Sequence, residues 1–289
     1  MEDNDKKASN DDLSQNQFPV ETGLEEDIQP PDYATDSGKY YFDSAFRIIE
    51  LFHFIIDRAL TSDLIALIAR DAVDGKATPE NLTPSELAKT NPGSNTKFLR
   101  QNSQALLEMT LCRVVDTFET YLSEVIREAL QSKPEMLRSK EQIRLDYALQ
   151  FGSLEELTAD LIDRKVSDLS YLGFNNLDAW CNEKMGINIL ADEAHRNSIV
   201  EIIETRNVIV HNRGIIGAKY LKNVYNSAFK QGDSRTLDVD YLFNAFSILC
   251  SCVKSLDGRI AIKFAITTRE YQPSKRRFWQ GRSNRNINA

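Results

Sequence analysis

Along most of its length the chain repeats apolar residues every three or four positions. Phe42, Phe46, Ile49, Ile56 and Leu60 set the first such stripe, which predicts a helix with one buried face over about residues 42–70. Residues 71–97 turn polar around Gly75, Pro79, Pro84, Pro92 and Gly93, so they are expected to form a loop, with one short helix starting at Thr83-Pro84-Ser85-Glu86. The most regular stripe follows: Leu107, Leu111, Val114, Phe118, Leu122, Val125 and Ala129 hold one face until Pro134 ends it. Further helices are expected over 153–172, stopping at Gly173, over 176–185 around Trp180, and over 192–211, where Asn212-Arg213-Gly214 supplies a left-handed termination. A short helix over 220–229 and a long one carrying Val239, Leu242, Phe246, Leu249, Val253 and Leu256 complete the pattern. Alternation of period two is confined to residues 260–267, and no segment repeats at a fixed offset. The fold class is therefore all-α, an antiparallel helical bundle.

Charge divides the chain into three parts. The net charge is -8, but acidic residues crowd the first 38 positions, where Glu2, Asp3, Asp5, Asp11, Asp12, Glu21, Glu25, Glu26 and Asp27 face only Lys6 and Lys7. A segment with so few apolar side chains cannot offset the entropy of ordering, and residues 1–38 are read as a disordered acidic leader without the features of a secretory signal. Residues 39–268 form the helical domain, and 269–289 a basic tail in which Arg269, Lys275, Arg276, Arg277, Arg282 and Arg285 surround Tyr271, Phe278 and Trp279. Such a tail can contact phosphates or simply remain solvated, and both readings stay open.

Composition narrows the chemistry. Cys112, Cys181, Cys250 and Cys252 lack the spacing of a disulfide scaffold or zinc site, and each falls in an apolar helical pattern, so reduced thiols in a cytoplasmic protein are expected. No uncharged run reaches the roughly 18 residues that span a bilayer, and the most apolar candidate, residues 42–68, is broken by Arg47, Glu50, Asp57 and Arg58. No membrane partner is expected. Phosphate loops, dinucleotide fingerprints, nucleophile elbows and paired-histidine zinc helices are missing, and no cofactor or metal is implied. Of the three histidines, His195 reads as a surface residue and His53 as a core one, because it continues the stripe of Phe46, Ile49 and Ile56.

His211 differs. Arg206 precedes it by five residues, and on a helix that offset corresponds to about 140°, so the pair converges only if the chain turns. Arg206 also shares a face with Ile199, Ile203 and Val210, where a permanent cation calls for an ion pair, a subunit interface or an anionic ligand such as phosphate.

The segment Arg206-Asn207-Val208-Ile209-Val210-His211 resembles the Arg-x4-6-His motif of HEPN domains, the higher eukaryotes and prokaryotes nucleotide-binding superfamily. Asn207 matches the polar residue that often follows the family's arginine. Arg47 and His53 fit the looser spacing too, but the Arg-Asn pair sets the later segment apart. Asp116-Thr117-Phe118-Glu119-Thr120-Tyr121-Leu122 is similar to the long helix upstream of the motif, and the resemblance spans roughly residues 98–263.

It implies a helical bundle, commonly a homodimer, that cleaves RNA without metal in toxin-antitoxin or phage-defence systems. The 2′-hydroxyl would attack the adjacent phosphate and leave a 2′,3′-cyclic phosphate. On that reading His211 is the acid or base, because an imidazole near its free pKa of about 6.5 exchanges protons at neutral pH. Arg206 holds the phosphate, and Asn207 orients it or the imidazole through its amide. Glu204, Asn212 and Arg213 are second-tier candidates by proximity. RNA is the implied substrate, and an antitoxin or another defence protein the implied partner. Many HEPN toxins silenced by a nucleotidyltransferase carry Tyr two residues after the histidine, where this chain has Arg213. The alternative is a non-catalytic HEPN-like bundle that binds RNA, nucleotide or a partner protein.

Overall fold

The computed structural model describes residues 29–138, 142–190 and 193–272. Ten α-helices account for nearly all of its regular structure: α1 Asp36–Val73, α2 Pro84–Thr90, α3 Ser94–Gln101, α4 Ser103–Ser132, α5 Leu145–Ala148, α6 Leu154–Ser170, α7 Phe174–Trp180, α8 Glu193–Asn212, α9 Ala218–Asn223 and α10 Val239–Phe264. The chain is an all-α helical bundle, as the apolar periodicity predicts.

Its centre is α4, whose buried face runs Leu107, Leu111, Val114, Phe118, Leu122, Val125 and Ala129, the stripe visible in the sequence. Helix α1 packs against α4 in the opposite direction, since Ser37 at its start donates to Glu128 near the end of α4. α6 and α8 also run opposite to α4. One pair departs from this arrangement: Gln104 at the start of α4 bonds Leu237 just before α10, and Ser132 at the end of α4 bonds the carbonyl of Phe264, so α4 and α10 lie parallel. α10 is the one helix among the described residues long and apolar enough to cross a membrane, but its apolar face is buried against α1, α4 and α8.

Buried polar groups fix the helix ends. Thr35 caps α1 by accepting from the Gly38 amide, and its own N–H and hydroxyl donate to the buried carboxylate of Asp257 at 2.9 and 2.7 Å. That carboxylate also accepts from Tyr121, and the helix start gains from negative charge beside its unpaired N–H groups. A Cβ on Gly38 would come within 2.7 Å of Asp257, so only glycine fits there. Asp63 of α1 works in the same way for α3. It accepts from the Asn95 and Thr96 amides at 3.1 and 2.8 Å, a cap in trans for a helix whose own N-cap, Gly93, has no side chain.

Several boundaries differ from the expected ones. α3 begins inside a stretch read as loop, because its helical start depends on Asp63, 31 residues upstream of Ser94. α9 ends at Asn223 instead of reaching 229, and the residues expected to alternate, 260–267, begin inside α10 and leave it at Ala265, which adopts φ 52°.

The ends of the domain also move outward. Tyr33–Ala34 pairs antiparallel with Arg269–Glu270, Tyr271 is buried beside Phe42, and its hydroxyl donates to Asp43 at 3.0 Å. Residues 29–38 and 269–272 thus belong to the folded body, whereas the rest of the acidic leader and of the basic tail lies outside the described residues.

Candidate functional site

α8 carries the motif outward from the core. Ile199 and Ile203 are buried, Arg206 is half-buried, and Val210 is 54% exposed, so one face of the helix passes from the bundle interior to solvent within three turns. Arg206 lies at the crossover. Its side chain meets two carboxylates of α4, Asp116 and Glu119, which stand one turn apart on the same face of that helix.

The guanidinium is gripped tightly. Nε and Nη2 both donate to Asp116 Oδ1, at 3.0 and 2.5 Å, Nη2 donates to Glu119 Oε2 at 2.6 Å, and Nη1 donates to Asn207 Oδ1 at 3.0 Å. Four hydrogen bonds engage a group that has five N–H donors. One positive charge thus faces two carboxyl groups. Burial pushes the Glu119 carboxyl above its usual range, with Asp116 adding to the effect and Arg206 opposing it. Burial also works against the charged Arg206, but Glu119 and Asp116 outweigh it and raise its pKa. Cys112, one turn earlier on α4, is a free thiol pushed up by burial and by Asp116.

The cluster sits in the wall of a cleft of about 330 Å³ between α4, the end of α6 and the start of α7. Thr120, Ser123, Ser170 and Gly173 give this cleft its polar lining, and Leu122, Leu169, Phe174 and Leu177 its apolar floor. The mixture suits a ligand with both a charged and a planar part.

His211 is exposed in the last turn of α8. The helix remains regular through Asn212, and the left-handed residues Arg213 and Gly214, φ 53° and 75°, come only afterwards. The expected turn therefore exists but lies beyond the pair and does not fold His211 back onto Arg206. Five residues of helix put about 140° of rotation and about 7.5 Å of rise between them. Within one chain, Arg206 and Asn207 come together with α4, and His211 stands apart.

The second-tier residues have structural duties. Glu204 is buried and accepts from Asn223 Nδ2 of α9 at 2.7 Å, facing away from Arg206. Asn212 donates its side-chain amide to the Ile215 carbonyl, which closes the helix end. Arg213 is exposed at the turn itself. Of the other histidines, His53 is half-buried with its ring 5.3 Å from that of Phe243, and His195 is exposed.

Asp116 and Glu119 did not stand out as site residues in the sequence, although they lie in the segment that resembles the HEPN upstream helix. The available signal was two carboxylates spaced i, i+3 on a helix where their neighbours Val115, Thr117 and Phe118 are buried. Among the described residues no group of three His, Cys, Asp or Glu side chains is placed to hold a metal ion. The chain matches no family model, and comparisons with curated proteins and with solved structures give no significant match.

Proposed function

We propose that the chain is a metal-independent endoribonuclease of HEPN type whose active site is completed by a second copy. The observation that carries this reading is Arg206, held in a fixed orientation by Asp116 and Glu119 at the wall of an open cleft, on the helix whose last turn exposes His211. On a regular helix Arg206 and His211 point about 140° apart, and this reading places the phosphodiester between Arg206 of one copy and His211 of the other. Val210 at 54%, Ile215 at 39% and Tyr225 at 72% exposure give the region around the end of α8 apolar surface for that contact.

In the reaction, a histidine takes the proton of the ribose 2′-hydroxyl, the 2′-oxygen bonds to phosphorus, and the bond to the 5′-oxygen breaks as that oxygen gains a proton. The products are a 2′,3′-cyclic phosphate and a 5′-hydroxyl. Arg206 stabilises charge on the phosphate oxygens, and Asn207, already bonded to it, keeps the guanidinium plane fixed. A phosphate reaching Arg206 competes with two carboxylates. Burial raises the Glu119 carboxyl, which eases its neutralisation by a proton as the phosphate arrives. The biological setting that suits such an activity is toxin-antitoxin or phage defence, with RNA as substrate and a neutralising protein as partner.

The test is to incubate the purified full chain with RNA in EDTA and to identify the fragment ends. The reading expects cyclic phosphate ends, abolished in His211→Ala, whose exposed position leaves folding intact. Cleavage that survives in His211→Ala, or the absence of cleavage on any RNA at any pH, removes it. A second reading is favoured by a specific observation: Arg206 already has four hydrogen bonds and excess negative charge around it, as a structural arginine would. On that reading the chain is a non-catalytic bundle that binds RNA, nucleotide or a protein, and His211→Ala leaves its binding unchanged.

A further inference from the structure

A second, larger cleft of about 770 Å³ opens on a flank of α6, between the segment that follows α4, α5 and the end of α7. α6 turns Leu161, Arg164, Lys165 and Asp168 toward it, while Ile162, Val166 and Leu169 face the core. Its charge is opposite to that of the chain. Arg138, Arg144, Arg164, Lys165 and Lys184 line it against Asp146 and Asp168, in a protein of net charge -8.

Two half-buried aromatic rings stand among these cations. The Arg164 guanidinium lies 4.2 Å from the centre of the Tyr147 ring, and the Lys165 ammonium lies 5.8 Å from that of Trp180. Some of the positive charge is already answered: Arg144 pairs with Asp146 at 2.7 Å, Arg164 with Asp160 at 2.8 Å and Lys184 with Glu183 at 2.9 Å. These pairs are exposed and contribute little, so an incoming anion can replace them. Arg138 and Lys165 have no carboxylate partner among the described residues.

We propose that this cleft binds a nucleotide unit, with its phosphate between Arg138 and Lys165 and its base stacked against the Trp180 or Tyr147 ring. Phosphate explains the excess of cations, and a base explains why they are interleaved with aromatic faces, the combination by which single-stranded nucleic acid is held without sequence preference. An acidic peptide would use the cations but not the rings. The site does not depend on Arg206 or His211, so it stands whether or not the chain cuts RNA.

Trp180 supplies the readout. The chain has two tryptophans, Trp180 and Trp279, so Trp279→Phe leaves Trp180 as the sole indole. In the full chain carrying that change, Trp180 fluorescence is titrated with a 2′-O-methyl oligonucleotide, which 2′-hydroxyl chemistry cannot cleave, and separately with AMP, inorganic phosphate and poly-glutamate. The expected result is saturable quenching by the oligonucleotide, by AMP or by both, at least tenfold weaker in Arg138→Ala/Lys165→Ala and markedly weaker as salt rises. Quenching by the oligonucleotide alone identifies a strand as the ligand, and equal quenching by AMP identifies free nucleotide. Both substituted side chains lie on the surface of the cleft, and an unchanged melting temperature in the double variant separates lost binding from lost folding. Quenching by poly-glutamate alone, by phosphate alone or by nothing would overturn the proposal, as would nucleotide binding unchanged in the double variant.

Discussion

Arg206 of α8 and Arg235, which α8 holds through Glu201, differ in how much negative charge answers them. Arg235 is sealed: its side chain is 8% exposed, it pairs with Glu201 at 3.0 Å, and its guanidinium lies over the rings of Phe229 and Tyr241 at 4.9 and 4.3 Å. One cation meets one carboxylate and two aromatic faces, which is what locking the segment before α10 onto the bundle requires. Arg206 is 18% exposed, touches no ring among the described residues, and meets two carboxylates at the wall of a cleft. Stability alone does not call for the second carboxylate, since like charges one turn apart on α4 repel. The contrast teaches that the two arginines do different local work: Arg235 is enclosed with its charge balanced, whereas Arg206 faces two carboxylates beside an open cleft.

The largest expected effect falls on the sealed partner. Arg235→Ala strands the Glu201 charge and removes two ring contacts, and denaturant melts should show a loss of about 2–3 kcal/mol. RNA cleavage by whatever fraction stays folded should be unchanged. Arg206→Gln should cost less, about 1–2 kcal/mol, because Asp116 and Glu119 are 42% and 39% exposed and water can take over their solvation. Cleavage, in contrast, should fall by about 100-fold or more, the usual cost of removing a group that stabilises transition-state charge. If the two arginines cost the same in stability and neither affects RNA, the contrast collapses.

Next in size is Asp63→Ala, which removes the trans cap of α3 and should cost about 1–2 kcal/mol. Burial pushes this carboxyl up, but hydrogen bonds from Thr96 and Asn95 win and hold its pKa below the ordinary carboxylate range. Its contribution is therefore present above the unfolded pKa and lost as pH falls through the lower folded one. The difference between wild type and variant should close in acid. The smallest effect is Glu119→Gln. This carboxyl is raised in the fold, so wild-type Glu119 favours folding below its unfolded pKa and loses that advantage as pH rises through the folded one. Wild type should become less stable relative to Glu119→Gln across that window, and a difference that moves the other way would show that Arg206 dominates the carboxyl.

Much of this was legible in the sequence. α4 announces itself through an uninterrupted apolar stripe and α8 through one broken only by Arg206, and the Arg-Asn pair and His211 fall where the stripe of α8 leaves the core. The grip on Arg206 was not legible, because Asp116 and Glu119 lie 90 and 87 residues away and nothing local marks which carboxylate a distant cation will find. α3 was missed for the same physical reason: its polar sequence has little apolar face of its own, and its N-terminus is completed by Asp63 from another helix. The basic cleft was invisible as a unit, because Arg138, Arg144, Lys165 and Trp180 come from four different segments. The separation of Arg206 from His211 could be computed from helical geometry, but only the position of the turn, after Asn212, decides that one chain does not bring them together.

That separation makes subunit complementation the most direct measurement. Arg206→Gln and His211→Ala chains, each folded and inactive alone, are mixed and allowed to exchange subunits before RNA is added. A mixed dimer contains one site with both substitutions and one with neither, so the account predicts that cleavage returns, to about a quarter of the wild-type rate at equal mixing. Silence from a mixture shown to contain mixed dimers would contradict it, as would full activity in a wild-type chain that remains a monomer.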